Sequence, residues 1–224
     1  MMNKEMKQIL AAAKEDGWVL EPEAKRLFRL AGLSVPNFAW CKNREECLAQ
    51  AGKIGYPLAA KVVSPDIVHK SDSGGVVVNI QNAKELENVF ERFSKASRFA
   101  GVLIEEMVSG LELIIGSKND IQFGPVILLG IGGTGVEIYR DSVIRMPPLQ
   151  EKDVVGMINS LQAHKLFDGY RGDAPVNRRD LTKLLVSFSA LVLELGNVVA
   201  SIDLNPVFCN AEKCVIADAR IMLK

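Results

Sequence analysis

The sequence predicts an α+β protein built as two lobes around a cleft. Three observations carry that class. Helical periodicity alternates with short strands, the strands are spaced as hairpins, and no Gly-x-Gly-x-x-Gly joins a first strand to a helix, which disfavours a doubly wound nucleotide-binding sheet. At 224 residues the chain can bury a full core. No internal repeat or long Pro/Ser linker marks a boundary, so the division follows element order: a helical segment over residues 1–20, a first lobe over 21–105 and a second over 106–224.

A polar helix is expected from about Met2 to Lys14, stopping at Gly17. A second helix begins at Pro22, where a missing N–H costs nothing, and its Ala24, Leu27, Phe28 and Ala31 share one face before Gly32 ends it. After a short strand at Phe38 to Trp40, Asn43 and Glu46 make a capping box for a helix through Ile54. A strand at Leu58 to Val63, a polar loop at Ser64 to Gly75 and a strand at Val76 to Ile80 follow. Asn82 and Glu85 then start a helix with Leu86, Val89, Phe90 and Phe93 as its apolar stripe.

The second half is richer in strands, expected at 102–108, 111–116, 126–130, 136–139 and 143–146. Helices are expected at Asp153 to Leu161 and at Leu181 to Leu195, with Gly196 as the stop of the latter. The chain closes with a strand from Val198, a turn at Asn210 to Lys213 and a returning strand from Cys214.

Lys plus Arg and Asp plus Glu each number 27, so no basic footprint argues for nucleic acid or an anionic membrane surface. No run approaches the ~20 apolar residues of a membrane span, and the opening residues lack the apolar core of a signal peptide. The expectation is a soluble, cytoplasmic protein. Cys41, Cys47, Cys209 and Cys214 have no Cys-x-x-Cys spacing and are read as reduced structural thiols.

Three constellations carry chemistry. With the closing turn centred between Ala211 and Glu212, Asn205 falls opposite Asp218, and Asp203 shares the face of Asn205 because side chains alternate along a strand. Hard oxygen donors of this kind suit Mg²⁺. For either carboxylate alone the ordinary reading is a turn or exposed strand residue, while jointly the metal reading is favoured. The same register opposes Cys209 and Cys214, as two thiols in preference to a disulfide.

The second constellation is the loop after the Leu58 to Val63 strand. Lys61 lies in an otherwise apolar strand, where an ammonium needs an anionic partner; a phosphate is one candidate, and a side chain snorkelling to water is the alternative. Ser73, Gly74 and Gly75 have the composition of a backbone nest for a polyphosphate, without the P-loop spacing. His69 is one of two histidines, and a largely neutral imidazole is a competent nucleophile toward phosphorus. A loop histidine is ordinarily just solvated, and His164 is left with that reading. The third constellation is Ile104 to Val108 followed by Leu111-Glu112-Leu113, where a strand ending in a bend offers backbone groups and apolar cover, Met107 and Val108, to an adenine edge. An ordinary solvated strand face has the same spacing.

Together these segments resemble the ATP-grasp (beta) subunit of ADP-forming acetyl-CoA synthetases, the nucleoside-diphosphate-forming acyl-CoA synthetases related to succinyl-CoA synthetase. The resemblance rests on Glu21-Pro22-Glu23-Ala24-Lys25, Gly55-Tyr56-Pro57 through Lys61, Val63-Ser64-Pro65-Asp66-Ile67-Val68-His69-Lys70-Ser71-Asp72, Gln122-Phe123-Gly124-Pro125, Gly169-Tyr170-Arg171-Gly172 and Asp203-Leu204-Asn205-Pro206. It implies an ATP-grasp fold, with a nucleotide cleft between two α+β lobes, ATP or ADP and Mg²⁺ as cofactors, and a hetero-oligomer with a CoA-binding alpha subunit that carries a second phosphohistidine.

By the same resemblance His69 passes the phosphoryl group to ADP and Asp203 steadies a phosphohistidine. Lys61 contacts nucleotide phosphates, Asn205 and Asp218 bind Mg²⁺, and Glu105, Val108 and Glu112 line the adenine and ribose side. After Gly132-Gly133, Thr134-Gly135 depart from the bulkier apolar residues usual in the family, which bears on acyl preference and on coupling to the alpha subunit. Two other readings compete: a carboxylate–amine or carboxylate–thiol ligase that uses no phosphohistidine, and a nucleotide-sensing subunit without chemistry.

Overall fold

The structure is a computed structural model that describes residues 2–70, 73–133, 141–172 and 174–224. Ser71 and Asp72 of the histidine loop, the Thr134-Gly135 departure and the strand expected at 136–139 lie outside the described residues. In chain order the elements are α1 (Lys4–Ala12), β1 (Trp18–Val19), α2 (Glu21–Leu30), β2 (Phe38–Cys41), α3 (Arg44–Ile54), β3 (Leu58–Val63), β4 (Val76–Ile80), α4 (Ala83–Phe93) and β5 (Gly101–Glu106). They continue with β6 (Leu111–Asp120), β7 (Gly124–Ile131), β8 (Ser142–Arg145), α5 (Glu151–Ser160), α6 (Arg178–Leu195), β9 (Val199–Cys209), β10 (Cys214–Ile216) and β11 (Arg220–Leu223).

Asparagine starts four of the helices. The side chains of Asn3, Asn43, Asn82 and Asn177 accept from the N–H groups of Met6, Glu46, Glu85 and Asp180 at 2.8, 2.9, 3.0 and 3.0 Å, satisfying donors that a helix start leaves orphaned. Glu46 and Glu85 reach back one residue further than a standard capping box, accepting from Lys42 N–H and Gln81 N–H at 2.8 Å each.

The chain divides into two compact units. One comprises residues 20–22 and 36–108; the other comprises 1–19, 23–35 and 109–224. The boundary therefore falls at Val108/Ser109, the opening helix groups with the C-terminal half, and the first residues of α2, Glu21 among them, group with the smaller unit.

The smaller unit is an antiparallel sheet in the order β2-β5-β3-β4 with α3 and α4 supplying its core. Leu58, Ala60 and Val62 of β3 and Val102 and Ile104 of β5 enter that core. By the two-residue alternation of strands, Lys61 and Glu105 point to the other face. That face is covered as well, since β3 is buried along its whole length.

The larger unit is an antiparallel sheet ordered β1-β11-β9-β6-β7-β8, with β10 paired to β9. Leu113, Ile115, Ile127, Leu129, Ile202 and Leu204 face a core shared with α5 and α6. The segment Arg178–Val198 is long and apolar enough by composition to cross a membrane, with a mean hydropathy of 1.5, which qualifies the reading that no run approaches a span. In the structure Leu181, Leu184, Leu185, Phe188, Leu191, Val192 and Leu195 of this helix fill the sheet's core.

Candidate functional site

In the smaller unit the strand lysine has found carboxylates. Lys61 Nζ lies 2.7 Å from Glu21 Oε1 and 2.9 Å from Glu105 Oε1. Lys70 Nζ lies 2.9 Å from the other oxygen of Glu21, an ion-pair contact rather than a well-aligned hydrogen bond. Glu21 and Glu105 are 0% and 3% exposed, Lys61 and Lys70 5% and 7%, so two ammonium and two carboxylate groups neutralise one another out of water. The spacing that exposed Lys61 as anomalous could not show Glu21, 40 residues away. Register supplies Glu105: Lys61 faces Leu103 and Ala59 faces Glu105, which makes Lys61 and Glu105 diagonal neighbours on one sheet face.

The resemblance assigns Glu105 to the adenine and ribose side; in the structure its carboxylate is buried against Lys61, 2.9 Å away. Val108 is half-buried just beyond β5.

His69 is exposed and Lys70, its neighbour, is buried. The loop around them is pinned at both ends. Ser64 Oγ donates to Ser97 O at 2.6 Å and accepts from Asp66 N–H at 3.1 Å, while Asp66 pairs with Arg98 at 3.4 Å. At the other end Gly75 N–H donates to Lys70 O at 2.7 Å, and Ser73 Oγ donates to Lys70 O at 3.0 Å and to His69 O at 3.2 Å. A Cβ on Gly75 would meet Val62 Cγ1 at 2.7 Å and Lys70 O at 3.1 Å, so a side chain there would displace the loop. The Gly75 N–H and the Ser73 hydroxyl thus close the loop, which narrows the polyphosphate-nest reading of Ser73, Gly74 and Gly75: a phosphate finds that glycine's N–H already committed.

In the larger unit β10 and β11 keep the expected register on both sides of a break. Cys209 faces Cys214, Val207 faces Ile216 and, beyond the break, Asp203 faces Arg220. Asn205 and Asp218 are therefore not a ladder pair. Between Leu113 and Ile115 the partner residues step from Val207 to Leu204, so β9 carries one extra residue, a bulge that puts Asn205 outside. Asp218 sits in the break, its N–H donating to Pro206 O at 3.3 Å, which brings it beside the Asn205–Pro206 segment. Asn205 is exposed and Asp218 half-buried, an amide and a carboxylate, which fits a hard cation that keeps much of its shell as water and phosphate. Among the described residues no group of three or more His, Cys, Asp or Glu could hold a metal.

Asp203 Oδ2 accepts from Arg220 Nη2 at 2.7 Å, the residue that faces it in the β9/β11 register. Asp203 also borders a groove of about 570 Å³ on the sheet's outer face, walled by Ile114, Val126, Leu128 and Ile144. Glu112, half-buried in β6, accepts from Gly132 N–H through its backbone carbonyl at 2.7 Å. A Cβ on Gly132 would meet the Glu112 backbone at 2.9 Å, and one on Gly133 would lie 3.6 Å from Glu112 Oε2, so the glycine pair is fitted to this residue.

All four cysteines are buried free thiols. They form two pairs, Cys41 with Cys47 and Cys209 with Cys214. The mutual hydrogen bond and burial push the Cys41 and Cys209 thiols up, while the hydrogen bond with Cys41 pulls Cys47 down. At the β6–β7 hairpin the N–H groups of Phe123 and Gln122 hold the Asp120 carboxyl below the usual carboxylate range.

Comparison with known proteins places these features in context. The family model described as ATP-grasp domain matches residues 10–223. The chain is 38% identical to the Pyrococcus furiosus acetate–CoA ligase (ADP-forming) I subunit beta, over 97% of each. It is 39% identical to the 4-hydroxybutyrate–CoA ligase (ADP-forming) of Nitrosopumilus maritimus, where it covers 92% of itself and 31% of that longer enzyme. A solved acetyl-coenzyme A synthetase of Ca. Korarchaeum cryptofilum, bound to coenzyme A and Mg-AMPPCP with its phosphohistidine segment pointing towards the nucleotide site, superposes with a TM-score of 0.86 at 36% identity over 98% of this chain and 100% of that one.

Proposed function

The chain belongs to the ATP-grasp family, among the beta subunits of ADP-forming acetate–CoA ligases, and from that premise we propose that His69 is its phosphoryl carrier. It is the nucleotide-binding subunit of an acid–thiol ligase that works with ATP or ADP and Mg²⁺. Its relatives are beta subunits or parts of fused enzymes, which implies an alpha partner. We take that partner to bind CoA and to carry a second phosphohistidine, and the four free thiols suit a cytoplasmic setting.

In the ATP-forming direction a phosphoryl group reaches His69 from the partner's histidine. The imidazole nitrogen forms a P–N bond as the donor's P–N bond breaks, and a terminal oxygen of ADP then takes the phosphoryl from His69, restoring the free imidazole. Asp203, oriented by Arg220, steadies a phosphohistidine as a hydrogen-bond acceptor for the ring's other nitrogen. The resemblance places Lys61 at the nucleotide phosphates; since Glu21 and Glu105 already balance its charge, its part there is that of a fixed hydrogen-bond donor and not of an excess cation. Asn205 and Asp218 would hold Mg²⁺, which when bound neutralises charge on the transferring phosphates. Positioning and electrostatics supply most of the catalysis in such a transfer.

The observation that carries this reading is the loop itself: an exposed imidazole followed directly by a buried lysine whose carboxylate partner is shared with Lys61. The test is reconstitution with an alpha subunit, which should make ATP from acyl-CoA, ADP and phosphate. Full activity in His69→Asn would exclude the carrier role. Turnover by the isolated chain without acid-labile phosphate would favour the carboxylate ligase reading, and nucleotide binding without transfer the sensor reading.

A further inference from the structure

His69 stands exposed beside an anchored stretch of loop, and the anchor on its C-terminal side is Lys70. Both ends of that residue are held. Its ammonium lies 2.9 Å from Glu21 Oε2 and is buried, while its carbonyl accepts from Gly75 N–H at 2.7 Å and from Ser73 Oγ at 3.0 Å. A flexible four-carbon side chain loses rotamer entropy when fixed, and an ammonium loses hydration when buried, so this placement is costly unless the fixed position is itself of use. Glu21 in turn spends its other oxygen on Lys61 at 2.7 Å. One carboxylate thus ties the strand lysine to the residue beside His69.

We infer that Lys70 is a positioning residue for His69, and that Glu21, shared by Lys61 and Lys70, makes the strand that carries Lys61 and the histidine loop one mechanical and electrostatic unit. The inference rests on the reading of His69 as phosphoryl carrier. Lys70 takes no part in the transfer; it fixes where the imidazole stands. A nucleophile held within reach of phosphorus reacts far faster than one on a free loop, so loosening this anchor lowers the rate of phosphorylation without weakening nucleotide binding.

Two readouts test this in the full chain with its alpha partner. The first is amide hydrogen exchange at Gly75, whose N–H reports the Lys70 anchor whatever the chemistry. Lys70→Met should speed its exchange at least tenfold, and unchanged exchange overturns the inference. The second is the initial rate of acid-labile phosphate formation from ATP and Mg²⁺, read beside the ATP dissociation constant. Lys70→Met should phosphorylate at least tenfold more slowly with ATP affinity within threefold of the parent, and Lys70→Arg should recover most of the rate by restoring a cation to Glu21. A parent-like rate in Lys70→Met, or affinity falling in step with rate, overturns it.

Glu21→Gln keeps the volume and is the arm that stands if Lys70→Met does not fold. It should slow phosphorylation comparably, and the double variant should be no more than about twofold slower than the worse single one, because both act on one contact. Fully multiplicative losses contradict a shared contact. If the parent protein forms no phosphohistidine, the carrier reading fails, while exchange at Gly75 still decides whether Lys70 is the anchor.

Discussion

Replacing Lys61 with Met removes a cation that touches both Glu21 and Glu105. The four-group cluster then passes from neutral to one excess negative charge, with Glu21 and Glu105 still 0% and 3% exposed. At an effective dielectric of about 20, each of the lost contacts, 2.7 and 2.9 Å long, represents about 6 kcal/mol of gross attraction. Desolvation of the lysine offsets most of that, and breaking one partner out of a buried pair costs about 3–5 kcal/mol net. The assay is urea denaturation in a Trp18→Phe background, which leaves Trp40, on β2 of the smaller unit, as the reporter. Lys61→Met should lower stability by about 3–5 kcal/mol, and adding Glu105→Gln should recover more than about 1 kcal/mol by removing the stranded charge. A loss below about 1 kcal/mol, or no recovery in the double variant, would refute the account of Lys61 as the centre of a buried ion-pair network.

Arg220→Met should cost less than about 1 kcal/mol of stability, since the pair is partly exposed, yet slow ATP synthesis by the reconstituted enzyme about tenfold by freeing Asp203; unchanged synthesis counts against the role given to Asp203. Asp218→Asn and Asn205→Ala should each raise the Mg²⁺ concentration for half-maximal activity about tenfold while the melting temperature holds, and an unmoved Mg²⁺ dependence removes them from the cation site. Gly75→Ala should destabilise by about 1–3 kcal/mol, because the new Cβ would stand 2.7 Å from Val62 Cγ1; calorimetry reads it. The lowered Asp120 carboxyl gives a pH test: its stabilising contribution is complete above the ordinary carboxylate value and is lost as pH falls through the lowered folded one. Carbon-detected titration should therefore place its midpoint below that of the unfolded chain, with exchange at Phe123 N–H rising beneath it.

Much of the fold was legible because its signals are local. Asn43 and Asn82 start helices for the reason their neighbours Glu46 and Glu85 suggest, and the 209/214 register follows from one tight turn. What escaped was non-local or irregular. The anomaly of Lys61 was visible in an apolar strand, but its partners came from residue 21 and from a diagonal position on β5. The extra residue in β9 interrupts the ladder at the very place where alternation would have set Asn205 against Asp218. Arg220 lies opposite Asp203 in the same register that opposes Cys209 and Cys214, so that pair was legible, but an arginine falls outside a set of oxygen donors and was not singled out. The contact of Glu105 escaped because a carboxylate in the run Ile104-Glu105-Glu106 looks the same whether it faces solvent or a buried ammonium.

The central claim is that His69 carries the phosphoryl group, and it is tested most directly by mass analysis of the chain, alone and with its alpha partner, after incubation with ATP and Mg²⁺. The account predicts one acid-labile phosphate mapped to His69 and absent from His69→Asn. Acid-labile phosphate that persists in His69→Asn, or none in a complex that still makes ATP, would contradict it.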